Sequence, residues 1–119
     1  MPSCLVVDDS DVIRKVARRI LEGLDFSVTE AATGQDALNA CKSVMPDLVL
    51  VDWHMPGMSG IEFTALLRNT ERGASPAVIY CTTENDPGDI ARALAAGADD
   101  YLMKPYDKVS IAAKLAAAA

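Results

Sequence analysis

Short apolar runs rich in Val, Leu and Ile alternate along the chain with stretches of helical period. Short runs of this kind between helical stretches indicate βα units around a parallel sheet. Strands are predicted near residues 3 to 7, 27 to 31, 48 to 51, 77 to 81 and 101 to 104, each followed by a helix.

The first helix has the clearest pattern. Ile13, Val16, Ala17, Ile20, Leu21 and Leu24 follow a helical stripe that packs on the sheet, which leaves Arg14, Lys15, Arg18 and Arg19 mostly outward. Ser59 with Glu62 three residues on forms a capping box before Phe63, Leu66 and Leu67, and Thr33 with Asp36 is a weaker version before Ala37, Leu38 and Cys41. Asp86-Pro87-Gly88-Asp89 opens a fourth helix with Ile90 and Leu94, and Gly97 is placed to end it in a left-handed conformation. The tail from Asp107 is rich in alanine, with Val109, Ile111 and Leu115 as its large apolar groups, and predicts a short last helix. No repeat or composition break divides the chain, so residues 1–119 read as one domain.

Polar residues stand where four of the strands end. Asp8 and Asp9 follow the first run, Asp52 the third, Thr82 the fourth and Lys104 the fifth. All strand C-termini of a parallel sheet lie on one edge, where such folds bind ligands, so these residues are expected to share one crevice. Any one of these aspartates alone reads as a turn residue or helix cap, and Thr82 or Lys104 alone as a solvated loop residue. Their joint occurrence at successive strand ends carries the functional reading.

Three carboxylates in one crevice repel, at about 1 kcal/mol per pair 4 Å apart in water and up to about 4 at an effective dielectric of 20. A cation is therefore expected. An all-oxygen donor set favours a hard ion, Mg²⁺ with Mn²⁺ able to substitute; the imidazole of His54, two residues after Asp52, suits softer metals and is not expected to bind it. Carboxylate-bound Mg²⁺ recruits phosphate, and an aspartate can itself attack phosphorus. Asp52, alone at the end of the central strand, is the candidate nucleophile, with Asp8 and Asp9 as ligands. Thr82 can donate to one phosphoryl oxygen and Lys104 can neutralise another.

Composition narrows the partners. The net charge of −6 argues against direct nucleic-acid binding, and no apolar run approaches the length of a membrane span or an export signal. Cys4, Cys41 and Cys81 are odd in number and far apart, as expected of buried, reduced thiols in a cytoplasmic protein.

The segments Val6-Val7-Asp8-Asp9-Ser10, Asp52-Trp53-His54-Met55-Pro56-Gly57-Met58-Ser59-Gly60, Cys81-Thr82-Thr83-Glu84 and Gly97-Ala98-Asp99-Asp100-Tyr101-Leu102-Met103-Lys104-Pro105-Tyr106 together resemble a receiver domain of two-component signalling, close to the single-domain chemotaxis-type response regulators. The resemblance covers nearly the whole chain. It implies a doubly wound α/β fold with five parallel strands in the order 2-1-3-4-5 and helices on both faces. It further implies Asp52 as phosphoacceptor, Asp8 and Asp9 as the acidic pair around Mg²⁺, the main-chain carbonyl of His54 as the remaining protein ligand, and Thr82 and Lys104 as phosphoryl-sensing residues. Tyr101 resembles the aromatic that moves inward with Thr82, and Lys104-Pro105 the family's cis peptide. Thr83 stands where the family usually has Ala or Gly and is expected to crowd the crevice, while His54 and Glu84 occupy positions that tune the phosphoryl lifetime.

The expected function is that of a cytoplasmic bacterial response regulator, phosphorylated on Asp52 by a histidine kinase or phosphotransfer protein that docks on the first helix. It would act on a downstream protein target through a changed binding surface, and catalyse only its own phosphorylation and dephosphorylation. Two rivals are a receiver that no longer switches and works by contacts alone, and a phosphatase of the aspartyl-phosphate type. Asp11 falls at a helix start and no cap domain is present, which weighs against the second; a first βα turn without glycine weighs against a nucleotide or flavin site.

Overall fold

Each apolar run forms a strand and each periodic stretch a helix. The computed structural model describes residues 2–53, 55–82, 87–104 and 106–118, the side chains of 116–118 excepted. In chain order the elements are β1 (Ser3–Val7), α1 (Asp11–Gly23), β2 (Ser27–Ala31), α2 (Gly34–Ser43), β3 (Leu48–Asp52), α3 (Gly60–Arg68), β4 (Ala77–Thr82), α4 (Pro87–Ala95), β5 (Asp100–Met103) and α5 (Lys108–Ala118). The strands form one parallel sheet in the order β2-β1-β3-β4-β5.

Side chains alternate across the sheet and build two cores. On one face Cys4, Val6, Leu48, Leu50, Ile79, Cys81 and Leu102 meet Ala17 and Leu21 of α1 and Ile111 of α5. On the other Leu5, Val7, Val49, Val51, Val78 and Tyr80 meet Ala37 and Cys41 of α2, Phe63 and Leu67 of α3, and Ala93 of α4. All three cysteines are buried free thiols, as expected. Phe63 is fully buried, and truncating such a ring to Ala costs about 3–5 kcal/mol.

Both caps read from the sequence are present. Ser59 accepts from the Glu62 amide while the Glu62 carboxylate accepts from the Ser59 amide, and Thr33 accepts from the Asp36 amide. Gly97 has φ +118 after α4. Gly60 is where the fold needs a missing side chain. A Cβ there would sit 2.3 Å from the Asp52 carbonyl oxygen, so only glycine lets α3 begin against the end of β3.

Three expectations are corrected. The last helix is not short: α5 runs eleven residues, because alanine, the best helix former, propagates it with few apolar anchors. The apolar stripes are narrower than read, for Val16, Leu66 and Leu94 lie at their outer margins and are exposed. The third correction is Arg14, which is buried, in line with Ala17 and Leu21, instead of facing outward.

Candidate functional site

The register brings the polar strand ends together. Val7 pairs with Val51, Asp52 with Cys81 and Thr82 with Met103, so Asp8 and Lys104 each stand one step past a strand end at the same edge. The ladder continues beyond the strands: the Asp8 amide donates to the Ala31 carbonyl at 3.1 Å, and the Lys104 amide to that of Thr82 at 2.8 Å. β1 has β2 on one side and β3 on the other, so the chain reverses its winding between Asp8 and Asp52, the place where open α/β sheets bind ligands.

The turn after β1 is locked by its own side chains. Asp8 Oδ1 accepts from the Ser10 amide at 2.9 Å, and Ser10 Oγ accepts from the Ile13 amide at 3.3 Å to cap α1. Asp8 is thereby held inside at 2 % exposure, while Asp9 lies exposed at the mouth. Lys104 Nζ donates to Asp8 Oδ2 at 2.6 Å and to Asp52 Oδ1 at 2.7 Å.

Burial pushes the Asp52 carboxyl above its ordinary pKa, and the Asp8 and Asp9 charges add to this, although the Lys104 hydrogen bond and charge pull the other way. Burial opposes the charged form of Lys104 too, but its hydrogen bonds to Asp52 and Asp8 prevail and raise its pKa. One ammonium therefore does not compensate the carboxylates around it.

Carboxylate oxygens of Asp8, Asp9 and Asp52 lie within 4.8 Å of one another. This all-oxygen donor set, short of positive charge, fits a hard divalent cation such as Mg²⁺ better than a softer metal. Bound there, the ion would bring charge neutralisation to phosphoryl oxygens beside Asp52.

Thr82 is buried at the end of β4. By strand alternation it shares a face with Tyr101 on β5, opposite to that of Asp52. Lys114 of α5 lies over the Tyr101 ring, 4.5 Å from its centroid, and pairs with Asp100 at 3.1 Å. Trp53, next to Asp52, packs edge-on against Tyr80 with ring centroids 4.9 Å apart. The expectations placed on His54, Thr83, Glu84 and the Lys104-Pro105 peptide lie outside the described residues.

Sequence reasoning missed the group behind the crevice. Arg14 Nη1 donates to the Asp8 carbonyl at 2.7 Å and Nε to Glu30 Oε1 at 3.2 Å, and Nη2 pairs with Asp11. Glu30 also receives Lys15 at 2.9 Å and Arg18 at 2.5 Å. Burial alone would raise the Glu30 carboxyl, but hydrogen bonds from Lys15, Arg18 and Arg14 hold it at about 2. The one available signal was the spacing of these three basic residues along one helix flank, which also fits a solvated face.

A doubly wound parallel sheet that gathers a carboxylate cluster and a lysine at its ligand-binding edge places the chain among the open α/β proteins. Residues 4–116 match the response regulator receiver domain. The chain belongs to that family. It is 35% identical over 113 residues to the phosphate regulon transcriptional regulatory protein PhoB of Klebsiella pneumoniae, a match covering 95% of this chain and 49% of that protein. With the DNA-binding response regulator MtrA of Mycolicibacterium smegmatis it shares 34% identity over 95% of this chain and 48% of the relative. The chain thus spans about half the length of these regulators. Among solved structures, the chemotaxis protein CheY4 of Vibrio cholerae superposes with a TM-score of 0.94 at 30% identity, covering 98% of each chain.

Proposed function

We propose that this chain accepts a phosphoryl group on Asp52 and transmits it as a changed protein-binding surface. The observation that carries the reading is the joining of Asp8, Asp9 and Asp52 with Lys104 at one sheet edge of a receiver domain. A carboxylate oxygen of Asp52 attacks the phosphorus of a phosphohistidine; the P–O bond forms as the P–N bond breaks, and the imidazole leaves with the bonding electron pair. Asp8 and Asp9 would hold the divalent cation with Asp52. Lys104, already paired to Asp52, is within reach of a phosphoryl oxygen, and Thr82, on the other face at the same sheet edge, would turn its hydroxyl toward the crevice to donate to another.

Drawing Lys104 and Thr82 toward the phosphoryl group would pull on β4 and β5 and leave room for Tyr101 to move inward, biasing two existing populations of α4 and β5. The donor is a histidine kinase or phosphotransfer protein docking near α1, and the target is a protein. Although relatives are named as DNA-binding, the net charge of −6 supports no direct nucleic-acid contact by this segment. Among the described residues no helix is long and apolar enough to cross a membrane. We place the chain in the cytoplasm, catalysing only reactions of its own aspartyl phosphate.

Incubation with acetyl phosphate and Mg²⁺, read by intact mass, tests the reading. A gain of one phosphoryl group is expected, dependent on Mg²⁺ and absent in Asp52→Asn. Labelling that persists in Asp52→Asn overturns the assignment. Mg²⁺ binding with neither an adduct nor a response to beryllofluoride would make the chain a non-switching scaffold.

A further inference from the structure

The fork of Arg14 spans two regions that the sequence treats separately. Its Nη1 holds the Asp8 carbonyl at 2.7 Å, while Nε and Nη2 are taken by Glu30 and Asp11. The side chain is 11% exposed, and so is that of Glu30, which anchors it. The Asp8 carbonyl belongs to the planar peptide that joins the two acidic residues, so fixing its oxygen also fixes the direction in which Asp9 leaves the turn. Asp8 is held at its amide, its carbonyl and both carboxylate oxygens. Asp9, exposed at the mouth, takes its direction from that frame.

We propose that Arg14, anchored by Glu30, is a positioning residue for the cation site, setting the Asp8–Asp9 peptide so that both carboxylates address one ion. The inference rests on the reading that Asp8, Asp9 and Asp52 hold Mg²⁺. A planar guanidinium serves three acceptors in fixed directions, whereas a lysine ammonium could hold the Asp8 carbonyl without the same anchorage. Charge alone acts in the opposite sense. Replacing a cation beside an acidic crevice by a neutral group makes the site more negative and tightens Mg²⁺ binding, so weaker binding identifies positioning.

The test titrates Mg²⁺ into the whole chain by Trp53 fluorescence, for the wild type, Arg14→Met, Arg14→Lys, Glu30→Gln and a Leu67→Ala control, whose lesion lies in the core beneath α3. The Asp9 amide ¹⁵N shift is recorded before Mg²⁺ is added, as a report on the Asp8 carbonyl. Arg14→Met is expected to bind Mg²⁺ about tenfold more weakly, as when a group orienting a metal ligand is lost. Arg14→Lys should recover most of that, Glu30→Gln should fall between, and Leu67→Ala should bind as the wild type does. The Asp9 shift should move in Arg14→Met and not in Leu67→Ala.

Unchanged or tighter binding in Arg14→Met beside a responding wild type overturns the inference alone, as does equal weakening in Leu67→Ala. No saturable response in the wild type overturns the Mg²⁺ reading and the inference with it. Should Arg14→Met not fold, the Asp9 ¹⁵N shift in Glu30→Gln decides, because loss of an anion weakens Mg²⁺ binding by charge alone: a shift displaced from the wild type before Mg²⁺ is added supports the role, and an unmoved one overturns it.

Discussion

The crevice and the Glu30 cluster invert each other's charge arithmetic. In the crevice three carboxylates cluster with one ammonium, which pairs with two of them, Asp8 and Asp52; at Glu30 three basic side chains surround one carboxylate. The titrations diverge accordingly, with Asp52 pushed above its ordinary pKa by burial and like charge while Glu30 is held at about 2. One region is short of cations and the other saturated with them. The unsatisfied region is the one whose repulsion a divalent cation would relieve, and the satisfied one lies behind it, joined through Arg14. Arg14 belongs to both.

The contrast breaks most visibly at Lys104. Lys104→Ala leaves the buried Asp8 and Asp52 without their cation and should cost about 3 kcal/mol in Mg²⁺-free denaturant unfolding at neutral pH. Saturating Mg²⁺ should return much of it, since any cation relieves the same repulsion. An equal loss with and without Mg²⁺ would show that Lys104 acts by packing, and the crevice would no longer count as cation-deficient.

Glu30→Gln comes next, at about 2 kcal/mol for hydrogen bonds to a charged acceptor. The folded carboxyl, held at about 2, lies below its ordinary 4.5, so its contribution is complete above 4.5 and is lost as pH falls toward 2. At pH 3 the unfolded chain largely holds the proton that the folded one still refuses. The penalty in Glu30→Gln should therefore be smaller at pH 3 than at pH 7. A pH-independent penalty would mean that the charge of Glu30 is not what matters.

The strands and the crevice were legible because they depend on local pattern and on one topological rule. Apolar runs located every strand to within a residue or so, and parallel strand ends must share an edge. Arg14 was not legible, because a helical wheel sorts positions by hydropathy and a buried arginine violates that sorting. What buries it is a carbonyl on the preceding turn and a carboxylate on β2, sixteen residues on, partners a one-dimensional pattern cannot pair. The outward Leu66 and Leu94 escaped for the complementary reason, since periodicity marks a stripe and not how much of its width the sheet covers.

Two smaller effects sharpen the comparison. Asp52→Asn should stabilise the Mg²⁺-free protein at neutral pH by about 1 kcal/mol, the scale of one relieved like-charge contact. Because the folded Asp52 pKa is raised, its ionisation weakens the fold as pH climbs past the ordinary 3.8, so the gain should vanish below that value, where both states hold the proton. Lys15→Ala should do least, about 0.5 kcal/mol or less, although Lys15 lies 2.9 Å from Glu30, because its side chain is 64% exposed and water screens the pair. If Lys15→Ala instead matched the loss in Glu30→Gln, the cluster would depend on its solvent-exposed rim. The buried Arg14 would then lose its claim as the link between the two regions.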